Sequence, residues 1–157
     1  MLIVFDYFGV IAQDDFWYRA REVARELGTE EDVIAAGRAT NIGALDWGEY
    51  CAKVAVDIGS TQEEVEKSYA VHRVTPRIIE LLSWLRMNGH ATVLLSNASR
   101  GHLVPIMNRL GLDRFFEHIF LSSDLHTVKP DPAVFLHVLR ETGYRADDTI
   151  MIDDSRE

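Results

Sequence analysis

Three four-residue runs, Leu2-Ile3-Val4-Phe5, Thr92-Val93-Leu94-Leu95 and Thr149-Ile150-Met151-Ile152, are almost wholly apolar and end abruptly in polar residues. Short continuous runs of this kind, rich in β-branched side chains, read as strands buried on both faces of a parallel sheet. The polar residues that follow them are Asp6, Ser96-Asn97 and Asp153-Asp154, and a further polar segment, Lys129-Pro130, falls between the second and third runs. In open α/β sheets ligands bind outside the carboxyl ends of the strands. The four polar segments, far apart in the chain, are therefore predicted to share one site.

Parallel strands need long crossovers, usually helical. Thr75-Pro76 offers an N-cap and a proline at the first helical position, and Ile78, Ile79, Leu82 and Leu85 recur at helical spacing up to Gly89. A second helix is predicted from Gly101 to Leu110, a strand from His118 to Leu121, and a helix opened by Asp131-Pro132 that ends before Gly143. The segment between the first two strands differs in character. It reads as helices over Asp15 to Leu27, Glu30 to Arg38, Asp46 to Asp57 and Gln62 to His72, punctuated by Gly28, Gly37, Gly43 and Gly59, with no strand pattern. Asp46 with Glu49, and Thr61 with Glu64, have capping-box spacing, the second pair being the closer match. The expected fold is α/β: a Rossmann-like parallel sheet with flanking helices forms a core from residues 1–13 and 76–157, and residues 14–75 form an inserted helical cap.

A chain of 157 residues accommodates one domain with such an insertion. The net charge of −9 argues against non-specific binding to nucleic acid or to an anionic membrane. The single cysteine, Cys51, excludes an intramolecular disulfide and is expected to be a half-buried structural thiol. The first apolar run is too short for a signal peptide, and no run approaches a membrane span, so the expected location is cytoplasmic.

The residue types indicate chemistry. Three carboxylates without His or Cys make a hard oxygen site suited to Mg²⁺. A serine hydroxyl, backbone N–H groups and a lysine suit a phosphate, and a carboxylate can act as nucleophile toward phosphorus. Each segment also has a plain reading. Asp6 fits a turn after a strand, Ser96-Asn97 an Asx or Ser turn, Lys129 an exposed lysine, and Asp153-Asp154 a solvated loop. It is their order and their shared position at strand ends that favour a site.

In these segments the chain resembles the haloacid dehalogenase (HAD) superfamily. Asp6-Tyr7-Phe8-Gly9-Val10 matches its first motif, Leu95-Ser96-Asn97 its second, Lys129-Pro130 its third and Asp153-Asp154 its acidic fourth. The stretch from Leu95 through Asp154 is most similar to bacterial sugar-1-phosphate phosphatases and to the phosphatase domain of soluble epoxide hydrolases. The resemblance implies a helical cap between the first two motifs and Asp6 as nucleophile. It implies Mg²⁺ held by Asp6, the Phe8 backbone carbonyl and Asp154, with Asp153 acting through water. Ser96, Asn97 and Lys129 would hold the phosphoryl oxygens of a small phosphorylated substrate, Lys129 also serving the nucleophile.

Phe8 departs from the phosphatase pattern, which usually has a second aspartate here as general acid, a contribution typically worth about 10²–10⁴ in rate. Superfamily dehalogenases carry an aromatic residue at this position, so a haloacid dehalogenase is the rival reading, and a binding protein without turnover is the non-enzymatic one. Among the six histidines, His102 and His126 follow motif strands most closely, and His126 is a candidate for the absent acid. Trp17, Trp47 and Trp84 are read as packing residues. Trp17, Arg38, Asn41 and Trp47 lie where a cap would select substrate; Arg38 could contact a substrate anion there, but a solvated helix position is the better reading of it. The family pattern continues beyond an acidic fourth motif, so the chain reads as shortened, with Thr149 to Ile152 at a sheet edge that a second copy of the chain could cover.

Overall fold

A computed structural model describes residues 1–155, so the last two residues of the 76–157 assignment lie outside the described residues. In chain order, β1 (Leu2–Phe5) and β2 (Ala12–Gln13) lead into four helices: α1 (Phe16–Leu27), α2 (Glu30–Asn41), α3 (Trp47–Asp57) and α4 (Gln62–Tyr69). Then come β3 (Arg73–Val74), α5 (Pro76–Met87), β4 (Ala91–Ser96), α6 (Arg100–Leu110), β5 (His118–Leu121), the short α7 (Ser122–Leu125), α8 (Pro132–Thr142) and β6 (Thr149–Ile152). Strands β1, β4, β5 and β6 form one parallel sheet in the order β5-β4-β1-β6, so β1 is internal and β6 lies at an edge, where Ile150 is 47% exposed.

Alternation along the strands splits the core into two layers. Ile3, Phe5 and Leu94 face Leu82 and Leu85 of α5 and Leu103 and Met107 of α6. Leu2, Val4, Val93 and Leu95 face Val134 and Val138 of α8. Continuous apolar strands are thus explained by helices on both faces. Asp131 caps α8 by accepting from the Ala133 N–H at 2.9 Å, Pro132 occupies the first turn, and Gly143 closes it in the left-handed region.

Helices α1–α4 enclose a separate apolar cluster that includes Ala20, Val33, Cys51, Val54 and Val65. Cys51 is fully buried rather than half-buried, and burial pushes its thiol up to about 12, so it is an inert packing residue. Both capping boxes form. That of Asp46 is the tighter, with bonds of 2.8 and 3.0 Å against 3.3 and 3.2 Å for Thr61.

Four further expectations are corrected. Helix α2 runs past Arg38 to Asn41. The fourth helix ends at Tyr69, short of His72, because Arg73–Val74 turns out to pair antiparallel with Ala12–Gln13. The segment read as free of strands therefore contains half of a two-stranded ribbon, and the chain leaves and rejoins the core side by side. Trp84 is 56% exposed and is not a packing residue.

Candidate active site

The sheet register brings the motifs together. Phe5 is in register with Leu94 on one side and with Ile152 on the other, so the residues just past β1, β4 and β6 emerge at one edge. The Asp6 N–H donates to the Ile152 carbonyl at 2.9 Å, which extends the β1–β6 pairing to the first polar residue. Beyond Asp6 the chain reverses tightly: Ile11 and Ala12 donate to the Tyr7 carbonyl, and Gly9, at φ 79, donates to the Ala12 carbonyl.

Asp6, Asp153 and Asp154 offer carboxylate oxygens that all lie within 4.8 Å of one another. Three such charges repel unless a cation stands among them. Lys129 supplies one: its Nζ lies 2.6 Å from Asp153 Oδ2 and 3.0 Å from Asp6 Oδ2, with the lysine side chain only 9% exposed. Asp6 also accepts the Tyr7 N–H at 2.6 Å. Burial raises the pKa of Asp6, and the charge and hydrogen bonding of Lys129, with smaller help from Ser96 and the Tyr7 N–H, oppose that rise without cancelling it. For Asp153 burial also pushes upward. There the hydrogen bonds from Lys129 and from the Ser155 N–H outweigh it and leave the carboxyl below its ordinary value.

The loop bearing Lys129 is held by Asn97. The Asn97 side-chain oxygen accepts the Lys129 N–H at 2.8 Å, and its amide nitrogen donates to the Lys129 carbonyl at 3.0 Å. Both ends of that side chain are thereby engaged, so its contribution to an anion falls to its backbone N–H. Ser96 is different. It is 1% exposed at the end of β4, and its Oγ faces Asp6 yet closes no hydrogen bond of good geometry. A buried hydroxyl without a partner is costly, and a bound oxyanion would satisfy it. Gly9 completes the arrangement: a Cβ there would fall 2.0 Å from Asp154 Oδ2, so the exposed Asp154 carboxylate rests directly over the glycine. An oxygen-only donor set with one buried counter-charge fits a hard divalent cation such as Mg²⁺.

These residues line one cavity of ≈ 790 Å³ whose opposite wall comes from the helical segment. Trp17, Arg38, Asn41 and Trp47 all line it. Trp17 and Trp47 thus serve the cavity as well as the cluster beneath it, Gly37 leaving room for the Trp17 ring at a distance where a Cβ would intrude. Phe8 also lines the cavity, its ring 5.7 Å from that of His72 and 6.1 Å from that of His102.

The two histidines singled out from the sequence fare differently. His102 reaches the cavity wall, stacked on Trp47 at 4.0 Å. Burial and then the neighbouring His72 push it down to about 3, so it is a neutral imidazole and not a proton donor at neutral pH. His126 is turned away: it is exposed, its Nδ1 lies 3.0 Å from the Ile42 carbonyl, and it does not line the cavity. Asp14 was missed. It lines the cavity, and burial raises its carboxyl to about 6. Only its place beside Asp15 marked it in the sequence, and that pair reads as an ordinary helix start.

A family model described as haloacid dehalogenase-like hydrolase matches residues 1–157. Phosphoglycolate phosphatase 1 of Pseudomonas aeruginosa is 32% identical over 94 residues, which cover 60% of this chain and 35% of that protein. The chain thus spans about a third of the length of the curated relatives it matches. Among solved structures, a HAD family enzyme of Bacteroides thetaiotaomicron in complex with magnesium and inorganic phosphate aligns at TM-score 0.80. It is 20% identical, with 99% of this chain and 85% of that one covered. A HAD phosphatase of Thermococcus onnurineus aligns at TM-score 0.70 with 23% identity, covering 98% of this chain and 77% of that one. At these identities the structural likeness concerns the fold. Among the described residues, no helix is long and apolar enough to cross a membrane.

Proposed function

The chain belongs to the haloacid dehalogenase-like hydrolases, and from that membership we propose that it is a Mg²⁺-dependent phosphatase of small phosphomonoesters. The observation that carries this reading is the cluster of Asp6, Asp153 and Asp154 within 4.8 Å, joined by a buried Lys129 and an unpartnered Ser96 hydroxyl. A metal-free dehalogenase has no need of three mutually repelling carboxylates.

In the proposed reaction an Asp6 carboxylate oxygen attacks phosphorus, the ester oxygen leaves, and an aspartyl-phosphate forms. Water then cleaves the acyl phosphate and regenerates Asp6. Ser96 and the backbone N–H of Asn97 hold phosphoryl oxygens, and Lys129 offsets their charge. Asp153 positions Lys129 and approaches the metal through water. Asp6, the Phe8 carbonyl and Asp154 would hold Mg²⁺, which supplies charge neutralisation at the phosphoryl group. Phe8 cannot protonate the leaving oxygen, so that proton comes from water or from the substrate itself. This arrangement favours esters whose leaving group needs little help.

Residues 14–75 are proposed to act as a cap that closes over the substrate and excludes water. The cavity admits a sugar phosphate or a small phosphorylated acid. Arg38, exposed on its wall and joined to no acidic partner among the described residues, is placed for a second anionic or polar group of the substrate. The test is release of p-nitrophenol from p-nitrophenyl phosphate with and without Mg²⁺, beside Asp6→Asn. Mg²⁺-dependent release that the substitution abolishes supports the proposal. Halide release from a 2-haloacid without Mg²⁺ would replace it with the dehalogenase reading.

A further inference from the structure

A second cluster of ligating groups lies where the helical segment joins the core. Asp14, His72 and His102 each offer one ligand atom, and these atoms lie within 4.8 Å of one another. The three come from different places: Asp14 just after β2, His72 just before β3, and His102 from α6 of the core. They therefore sit on the two chain crossings into the helical segment and on the helix facing them. The rings of His72 and His102 meet edge to face at 5.3 Å.

We propose that Asp14, His72 and His102 form a second metal site, for a borderline divalent ion such as Zn²⁺, that clamps both crossings to α6. The donor set of two imidazoles and one carboxylate suits Zn²⁺, Co²⁺ or Ni²⁺ better than Mg²⁺. Ligating imidazoles must be neutral and are usually oriented by a hydrogen bond at the other nitrogen. His102 meets both conditions, and His72 meets them in its Nδ1–H tautomer. Burial keeps His102 and His72 uncharged, the latter pushed down to about 4. His102 Nε2 donates to the Tyr69 carbonyl at 3.3 Å, which leaves its Nδ1 lone pair free to ligate.

His72 supplies an independent observation. Its Nδ1 meets the Tyr7 hydroxyl at 2.9 Å, while its Nε2 is buried with no hydrogen-bond partner; the Tyr69 carbonyl faces the ring without closing a bond of good geometry. In the tautomer whose Nδ1–H donates to the Tyr7 hydroxyl, the Nε2 lone pair is available to a cation. Asp14 likewise lacks a strong counter-charge: burial dominates its environment, the N–H groups of Phe16 and Trp17 lower its pKa in part, and Arg19 is the weakest influence on it. The large cavity, which Asp14 and His102 also line, gives water access to the remaining coordination positions.

The test uses the whole chain in excess Mg²⁺, which occupies the carboxylate cluster, titrated with Zn²⁺ by calorimetry and with Co²⁺ by its d–d absorption. One saturable equivalent is expected, lost in Asp14→Asn and in His102→Gln but kept in Asp6→Asn and Asp154→Asn. Far-ultraviolet circular dichroism checks the fold of each variant, and Asp14→Asn carries the test if the buried His102 variant unfolds. Zn²⁺ should also slow hydrogen exchange at residues 12–14 and 71–74. Absence of saturable binding, or binding that survives Asp14→Asn and disappears in Asp154→Asn, overturns the site. Binding without slower exchange overturns the clamp.

Discussion

Replacing Gly9 by alanine separates the stability of the site from its chemistry. The residue sits at φ 79, where an L side chain is strained by about 1–2 kcal/mol. Its added Cβ would lie 2.0 Å from Asp154 Oδ2, 2.3 Å from Cγ and 2.8 Å from Oδ1. To reach ordinary contact the Asp154 carboxylate must retreat by roughly 1.5 Å. That movement costs little in stability because Asp154 is exposed and its side chain can swing outward. For a Mg²⁺ ligand it is decisive, since Mg²⁺ tolerates little departure from about 2.1 Å octahedral geometry. A misplacement of about 1 Å in a catalytic site typically costs of order 10²-fold. Gly9→Ala is thus expected to lower urea-unfolding stability by about 1–2 kcal/mol. It should also cut Mg²⁺-dependent turnover of p-nitrophenyl phosphate about 10²-fold, with a weaker apparent Mg²⁺ affinity. Turnover and Mg²⁺ half-saturation both unchanged, in a variant shown to be folded, would refute the placement of Asp154 on the metal.

Lys129→Met removes the cation between Asp6 and Asp153 and leaves two largely buried carboxylates face to face. Urea unfolding without Mg²⁺ should show a loss of about 3–5 kcal/mol, reduced when Mg²⁺ is added. Equal losses with and without Mg²⁺ would mean that the ion does not occupy this cluster. Phe8→Asp should raise turnover of alkyl phosphates far more than that of p-nitrophenyl phosphate, by up to about 10²-fold, because only the poor leaving group needs a proton. A uniform effect on both substrates would show that leaving-group protonation is not limiting. His102 is neutral in the fold, at about 3, and titrates near 6.5 when unfolded, so its contribution is complete above pH 6.5 and declines as pH falls toward 3. The decline approaches about 1.4 kcal/mol per pH unit. His102→Phe, which keeps a ring against Trp47, should flatten the pH dependence of urea stability between about pH 6 and 4, and an unaltered slope would count against a buried neutral imidazole.

Three of the four motif segments could be read from the chain because each directly follows an apolar run. Apolar runs mark the buried strands, and Thr75-Pro76 and Asp131-Pro132 mark helix starts that the fold retains. Nucleophile, phosphate-holding and acidic candidates could therefore be named without coordinates, as could helices α1–α4. The two-residue ribbon strands could not, because Arg73–Val74 owes its conformation to a partner about 60 residues away and has no periodicity of its own. For the same reason the fourth helix was expected to run on to His72.

What the sequence by itself determined was the class of fold and the kinds of side chain available at the strand ends, since hydrophobic periodicity and polar punctuation are local properties. Only the tertiary structure decided which atoms meet. Asn97 proved to grip the Lys129 backbone, Lys129 to bridge Asp6 and Asp153, and Asp154 to rest on Gly9. It also drew Asp14, His72 and His102 into one cluster while leaving His126 outside. Such contacts join residues tens of positions apart, and burial sets their charge states, so neither follows from composition or spacing along the chain.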